Sequence, residues 1–219
     1  MDHDKAVVFD MDGVIFDSEL LVLNCWREIA GKYGLTDIEI TCRECTGTNA
    51  DVTREIFRKY YGKDVPYDEY KAEVRELFSK SFGDGRKYLK PGVTELLKKL
   101  KDNGYKVALA SSTRRVTVEK ELRSAGIIGF FDEIICGDMV KMSKPHPEIF
   151  QTACKRLCVR EKDTFAVEDS INGIKSAYNA KMRVIMVPDL IPATDEIREI
   201  AEAILPDLLS VGKYILEDN

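Results

Sequence analysis

The stretch Lys5-Ala6-Val7-Val8-Phe9-Asp10-Met11-Asp12-Gly13 decides how this chain is read. An apolar run stops abruptly at short polar residues and a glycine. Such a run, bounded by turn residues, predicts a central parallel strand buried on both faces. The arrangement recurs twice. Lys106-Val107-Ala108-Leu109-Ala110 runs into Ser111-Ser112-Thr113, and Thr164-Phe165-Ala166-Val167 runs into Glu168-Asp169-Ser170. In open α/β sheets the ligand crevice lies beyond the carboxyl ends of the strands. Four carboxylates and two hydroxyls gathered there would form a cation-binding, phosphate-facing site, so the chain reads as an enzyme.

Beyond the first strand the pattern turns helical. From about Ser18 to Tyr33, Leu20, Leu21, Leu23, Trp26, Ile29 and Ala30 recur at helical spacing. Asp17 or Ser18 stands where it can cap that helix. Residues 51–61 and 67–82 also read as helices, separated by Gly62-Lys63-Asp64-Val65-Pro66. No strand pattern interrupts 17–82. After Gly83-Asp84-Gly85, a helix opens at Pro91-Gly92 and runs through Leu100. Strands are expected at 106–110, 133–135, 164–167 and 183–187, helices near 115–125, 147–157 and 171–180, and then a final helical region. Alternation of this kind means an α/β fold, a parallel sheet with helices on both faces. The helical stretch is then an insertion: a core of residues 1–16 and 84–219 carries an all-helical domain of residues 17–83.

The composition sets limits on function. With 219 residues, 44% hydrophobic and 32% charged, the chain resembles an ordinary globular protein able to bury a core without disulfides or structural metals. A net charge of −5 offers no basic face for nucleic acid and disfavours anionic membranes. No apolar run approaches a membrane-spanning length. The charged amino terminus leads straight into a strand, so no signal peptide and a cytoplasmic location are expected, as is a monomer.

The six cysteines are expected to be reduced and non-ligating. Cys42-x2-Cys45 lacks a second pair or a nearby histidine, and Cys154 and Cys158 read as small apolar residues on a buried face. Only two histidines exist, His3 and His146. That nearly excludes nucleophile–histidine triads and His-rich metal sites, leaving acid–base chemistry to carboxylates and lysines. His146, between two prolines, reads as loop structure.

Four short segments together resemble the haloacid dehalogenase superfamily of phosphotransferases. Asp10-Met11-Asp12-Gly13-Val14-Ile15 is similar to its first motif and Ala110-Ser111-Ser112 to its second. Lys144-Pro145 supplies its lysine, and Val167-Glu168-Asp169-Ser170 its acidic motif. The β-phosphoglucomutase-like members look most similar, through residues 10–18, 143–150 and 168–177. The resemblance implies a Rossmann-like core of strand order 3-2-1-4-5 and a small helical cap after the first strand. Candidate hinges are residues 14–18 and 83–90.

On that resemblance Asp10 is the nucleophile, whose carboxylate attacks phosphorus to form an aspartyl-phosphate. Asp12, two residues on along an extended strand end, lies on the same side. It is the general acid for the leaving oxygen and the base for the attacking water. A hard cation relieves the repulsion between carboxylate and phosphoryl group, and Mg²⁺ prefers oxygen ligands. The resemblance assigns it to Asp10, the backbone carbonyl of Asp12 and Asp169, with Glu168 close by or through water. Ser111, with Ser112, and Lys144 are implied to hold the phosphoryl oxygens. Read alone, Glu168-Asp169-Ser170 is a helix N-terminus and Ser111 a helix cap. These roles can coexist with the others, because helix N-termini bind anions.

The cap is where substrates are distinguished. Thr46, Gly47, Thr48 and Asn49 form a polar loop expected to face the site, or equally an ordinary interhelical loop. Mutases of the β-phosphoglucomutase kind carry a histidine that aligns with Val22 and an arginine that aligns with Ala50. Their replacement here favours a phosphatase of small phosphorylated metabolites, most simply sugar phosphates. A sugar-phosphate mutase and a catalytically inert phosphometabolite-binding protein are the alternatives.

Overall fold

The computed structural model describes residues 5–45 and 50–217. Contacts divide the chain into two compact units, Met1–Asp17 with Gly85–Asn219, and Ser18–Asp84.

The first unit begins with strand β1 (Ala6–Phe9), and the second contributes helices α1 (Glu19–Tyr33), α2 (Ile38–Cys45), α3 (Ala50–Tyr61) and α4 (Tyr67–Phe82). The first unit resumes with α5 (Val93–Asp102), β2 (Lys106–Ser111), α6 (Arg115–Ser124), β3 (Glu133–Cys136), α7 (Glu148–Leu157), β4 (Thr164–Glu168), α8 (Ile171–Asn179), β5 (Arg183–Met186), α9 (Asp195–Ile200), β6 (Ala203–Ile204) and α10 (Leu208–Glu217). The sheet order is β3-β2-β1-β4-β5-β6, parallel throughout.

All residues of β1 and β4 are buried, as central strands covered on both faces must be. Along β1, Ala6 and Val8 share one apolar cluster with Ala108, Ala110, Ala166, and Ile149, Phe150 and Ala153 of α7. On β2, α5 packs against the strand and α10 against α5, burying Leu96, Leu97, Leu100, Val211 and Ile215. Each fully buried aliphatic or aromatic side chain contributes about 1.5–3 kcal/mol. Register fixes what lies at the strand ends. Phe9 pairs with Leu109 on one side and Val167 on the other. The next residue, Asp10, is held by its N–H donating to the Val167 carbonyl at 2.9 Å.

The strand order 3-2-1-4-5 is present, with one addition. Two-residue β6 pairs with β5, Ile185 opposite Ala203 and Met186 opposite Ile204, inside what the sequence pattern suggested was wholly helical. Two residues are too few to show a period of two.

The second unit has an aromatic core. Trp26 meets Tyr70 edge-on at 5.5 Å, and Phe57 lies 5.0 Å from Tyr70 and 5.1 Å from Tyr67. The Tyr70 hydroxyl donates to the Trp26 carbonyl at 2.8 Å, so burying this ring strands no polar group. Helix α2 was not anticipated. Its buried residues Ile38, Thr41, Cys42 and Cys45 have helical spacing, but two are cysteines and one a threonine, which blunts the apolar signal.

Two smaller expectations are corrected. Ser18 occupies the N-cap of α1 without a side-chain capping bond, its backbone being already helical there. Cys158 is exposed: it ends α7 in a left-handed conformation (φ 57°), which turns it off the face that buries Cys154. Among the described residues no helix is long and apolar enough to cross a membrane.

Candidate active site

Strand β1 delivers Asp10 to the carboxyl edge of the sheet, β2 delivers Ser111, and β4 delivers Glu168 and Asp169. All four are buried, as is Lys144 from the loop before α7. The Lys144 ammonium donates to Asp10 Oδ1 at 2.5 Å, to Glu168 Oε1 at 2.7 Å and to the Ala110 carbonyl at 2.9 Å. That uses all three of its N–H donors.

The other oxygen of Glu168 accepts from the backbone N–H groups of Asp169 and Ser170, both at 2.9 Å, and from the Ser170 hydroxyl at 3.0 Å. Ser170 in turn caps α8, its oxygen accepting from the Gly173 N–H at 3.0 Å. The acidic stretch is therefore a helix N-terminus and part of the carboxylate cluster at once, the first role orienting the second.

Oxygens of Asp10, Glu168 and Asp169 lie within 4.8 Å of one another. Burial pushes the Asp10 carboxyl up, to about 8; Lys144 opposes this, while the charges of Glu168 and Asp12 add to it. Burial alone would lower Lys144, but the charges of Asp10 and Glu168 outweigh it and hold the ammonium above its ordinary range. The Lys144 ammonium thus pairs with two of these three clustered carboxylates, Asp10 and Glu168. Unbalanced buried charge is costly, and a hard divalent cation with oxygen preference fits this donor set.

After Asp10 the chain turns tightly. Gly13 has φ +82°, and a Cβ there would lie 2.2 Å from Asp169 Oδ2, so only glycine lets this turn close against the acidic loop. Asp12 accepts a hydrogen bond from the Thr113 hydroxyl at 3.2 Å. It adds no side-chain oxygen to the three-carboxylate cluster; the part foreseen for it there runs through its carbonyl.

Ser111 Oγ accepts from the Thr113 N–H at 3.1 Å, tightening the turn after β2; Arg114, not Ser111, occupies the N-cap of α6. Ser112 is exposed. Thr46, Gly47, Thr48 and Asn49 lie outside the described residues. His146 is loop structure, its carbonyl accepting from the Ser176 hydroxyl at 2.7 Å.

Two residues beside the cluster were not singled out from sequence. Thr113 follows the two serines and could have been included as a third hydroxyl at the same strand end. Gly173 sits where a Cβ would meet Glu168 Oε1 at 1.7 Å; it lies within the 168–177 stretch that carries the resemblance, where no role was given to it.

The model of the haloacid dehalogenase-like hydrolases matches residues 7–187. The chain is 33% identical over 176 residues to the phosphorylated carbohydrates phosphatase of Thermotoga maritima, covering 80% of this chain and 81% of that one. It is 31% identical over 191 residues to the β-phosphoglucomutase of Bacillus subtilis, covering 84% and 83%. A variant of CbbY from Rhodobacter sphaeroides, solved in complex with xylulose-(1,5)bisphosphate, superposes with a TM-score of 0.80 at 26% identity over 96% of each chain. With the parallel sheet ending in this acidic cluster, these matches mean that the chain belongs to the haloacid dehalogenase-like hydrolases.

Proposed function

We propose that this chain is a Mg²⁺-dependent phosphatase of small phosphorylated carbohydrates that works through an aspartyl-phosphate on Asp10. One observation carries the reading: a buried carboxylate, Asp10, is fixed by the Lys144 ammonium beside two further carboxylates at the carboxyl edge of the sheet. Bound there, the cation would supply positive charge against the phosphoryl oxygens, held by Asp10, Asp169 and the Asp12 carbonyl, with Glu168 beside it.

The protein's own groups have separable tasks. Asp10 attacks phosphorus, and Lys144 aims it and opposes the upward push of burial on its carboxyl. Ser111 and Ser112 donate to the phosphoryl oxygens. Asp12, steadied by Thr113, protonates the leaving oxygen and then takes a proton from water. The carbohydrate preference follows the Thermotoga relative, which carries that substrate class in its name.

A mutase reading has its own support in the 31% identity to a β-phosphoglucomutase. Against it stands Val22, a hydrocarbon side chain packed on the apolar core of the helical unit, with no proton to give or take.

The test is phosphate release from a panel of sugar phosphates, nucleotides and pyrophosphate with Mg²⁺, run beside Asp10→Asn. Release from sugar phosphates that the variant loses while keeping its Tm is the expected result. Near-wild-type release by the variant would remove Asp10 as nucleophile. Conversion of β-glucose 1-phosphate to its isomer in place of release would favour the mutase.

A further inference from the structure

Away from the acidic cluster, one ion pair joins segments that sequence reading never connected. The Lys90 ammonium donates to Asp189 Oδ1 at 2.5 Å and lies 3.9 Å from Asp17. Both members of the close pair are largely buried, with side-chain exposures of 19% and 14%, and the second Asp189 oxygen is buried with no hydrogen-bond partner among the described residues. A desolvated pair of this kind is weak evidence for stability, so its position calls for another explanation.

That position is between the two loops that carry the chemistry. On one side, residues 12–17 form a compact turn. The Gly13 N–H donates to the Phe16 carbonyl at 2.9 Å, and the Ile15 and Phe16 N–H groups both donate to Met11. This turn is laid along residues 88–90: the Asp17 N–H donates to Tyr88 at 2.7 Å and the Lys90 N–H to Ile15 at 2.9 Å. On the other side, Asp189 follows β5 on a loop whose first residue, Val187, donates its N–H to the Glu168 carbonyl at 2.8 Å. Lys90 therefore ties the turn that presents Asp12 to the loop anchored on Glu168.

We infer that Lys90, through Asp189, is a positioning residue for Asp12, holding the acid–base turn in register with the carboxylate cluster. The inference rests on the phosphatase reading above. Its consequence is specific to proton transfer, because the nucleophile Asp10 is anchored separately by Lys144 and the β4 backbone. Small displacements of a catalytic group cost on the order of 100-fold in rate.

The test compares kcat/KM, which reports steps up to formation of the phosphorylated enzyme, on two substrates with Mg²⁺. A sugar phosphate needs its leaving alkoxide protonated, whereas p-nitrophenyl phosphate does not. Lys90→Met is expected to lose about 10- to 100-fold on the sugar phosphate and less than about 3-fold on the aryl ester. Asp189→Asn should show the same asymmetry, and Lys90→Arg should restore much of the loss. Tm values establish that each variant is folded; should Lys90→Met not fold, Asp189→Asn decides. Equal losses on both substrates, or wild-type rates on both, would overturn the positioning role alone. A wild-type enzyme that releases phosphate from neither substrate would overturn the phosphatase reading and this inference with it.

Discussion

The Lys144 ammonium lies 2.5 Å from Asp10 Oδ1, and neither side chain is more than 11% exposed. The two are 134 residues apart in sequence, yet each depends on the other. Without Lys144, burial leaves the Asp10 and Glu168 carboxylates facing each other unscreened. Breaking a buried pair of this kind costs about 3–5 kcal/mol. Lys144→Met is therefore expected to lower Tm by on the order of 10 °C and phosphate release by about 100-fold or more. A variant with wild-type Tm would show that the ammonium is not what balances this cluster.

Cation binding can be tested without turnover. Three buried carboxylate oxygens within 4.8 Å of one another make a donor set for one hard ion. Calorimetric titration of Mg²⁺ into chelator-treated protein is expected to show one site, weakened at least about tenfold in Asp169→Asn. Activity should vanish in EDTA and return with Mg²⁺. Heat-silent titration together with EDTA-resistant activity would contradict a cation role for this cluster.

How much of this was legible beforehand depends on locality. Asp10, Asp12, Ser111, Glu168 and Asp169 each stand at the end of an apolar strand or within three residues beyond it, so the sheet and its acidic edge can be read from three short windows. Thr113 was visible but unassigned, because its meaning lies in a bond to Asp12 across 101 residues. Helix α2 was hidden by cysteines and a threonine standing where aliphatic residues usually mark a buried face. Strand β6 exists only because β5 offers it an edge. The Lys90–Asp189 pair spans 99 residues and joins two loops with no periodicity at all. What was missed is what packing decides after the local elements have formed.

Glu121 is expected to give the protein a pH-dependent stability. It is buried on α6, and burial pushes its carboxyl up to about 8, with the charge of Asp12 adding to the push. Its folded-state value lies above the unfolded one, so between the two the folded protein keeps a proton that the unfolded chain has released. Stability on this account is fully present below the ordinary carboxyl value of 4.5, is lost as pH rises towards 8, and changes no further above that. Glu121→Gln keeps the shape and removes the titration. Its Tm should pull ahead of the wild type by on the order of 5–10 °C between pH 5 and pH 8. Parallel Tm curves would show that Glu121 does not carry this dependence.

Two glycines in helices should respond oppositely to the same change. At Gly31 in α1 an added Cβ meets nothing within 4 Å among the described residues, so Gly31→Ala gains helix propensity and reduces the freedom of the unfolded chain. It should hold or raise stability by about 0.5–1 kcal/mol. At Gly173 in the first turn of α8 the Cβ would lie 1.7 Å from Glu168 Oε1. No rotamer of alanine avoids that contact, so the Glu168 carboxylate must leave the N-terminus of α8. It would then break its 2.7 Å bond to Lys144 and its bonds to the Asp169 and Ser170 N–H groups. The propensity gain of about 1 kcal/mol is smaller than the cost of disrupting a buried charged network. Gly173→Ala is expected to lower Tm, weaken Mg²⁺ binding and reduce phosphate release by about tenfold or more. Thermal melts of the two variants side by side check the argument. A Gly173→Ala protein as stable as Gly31→Ala would mean that Glu168 has room to move and is not what fixes the geometry of the acidic loop.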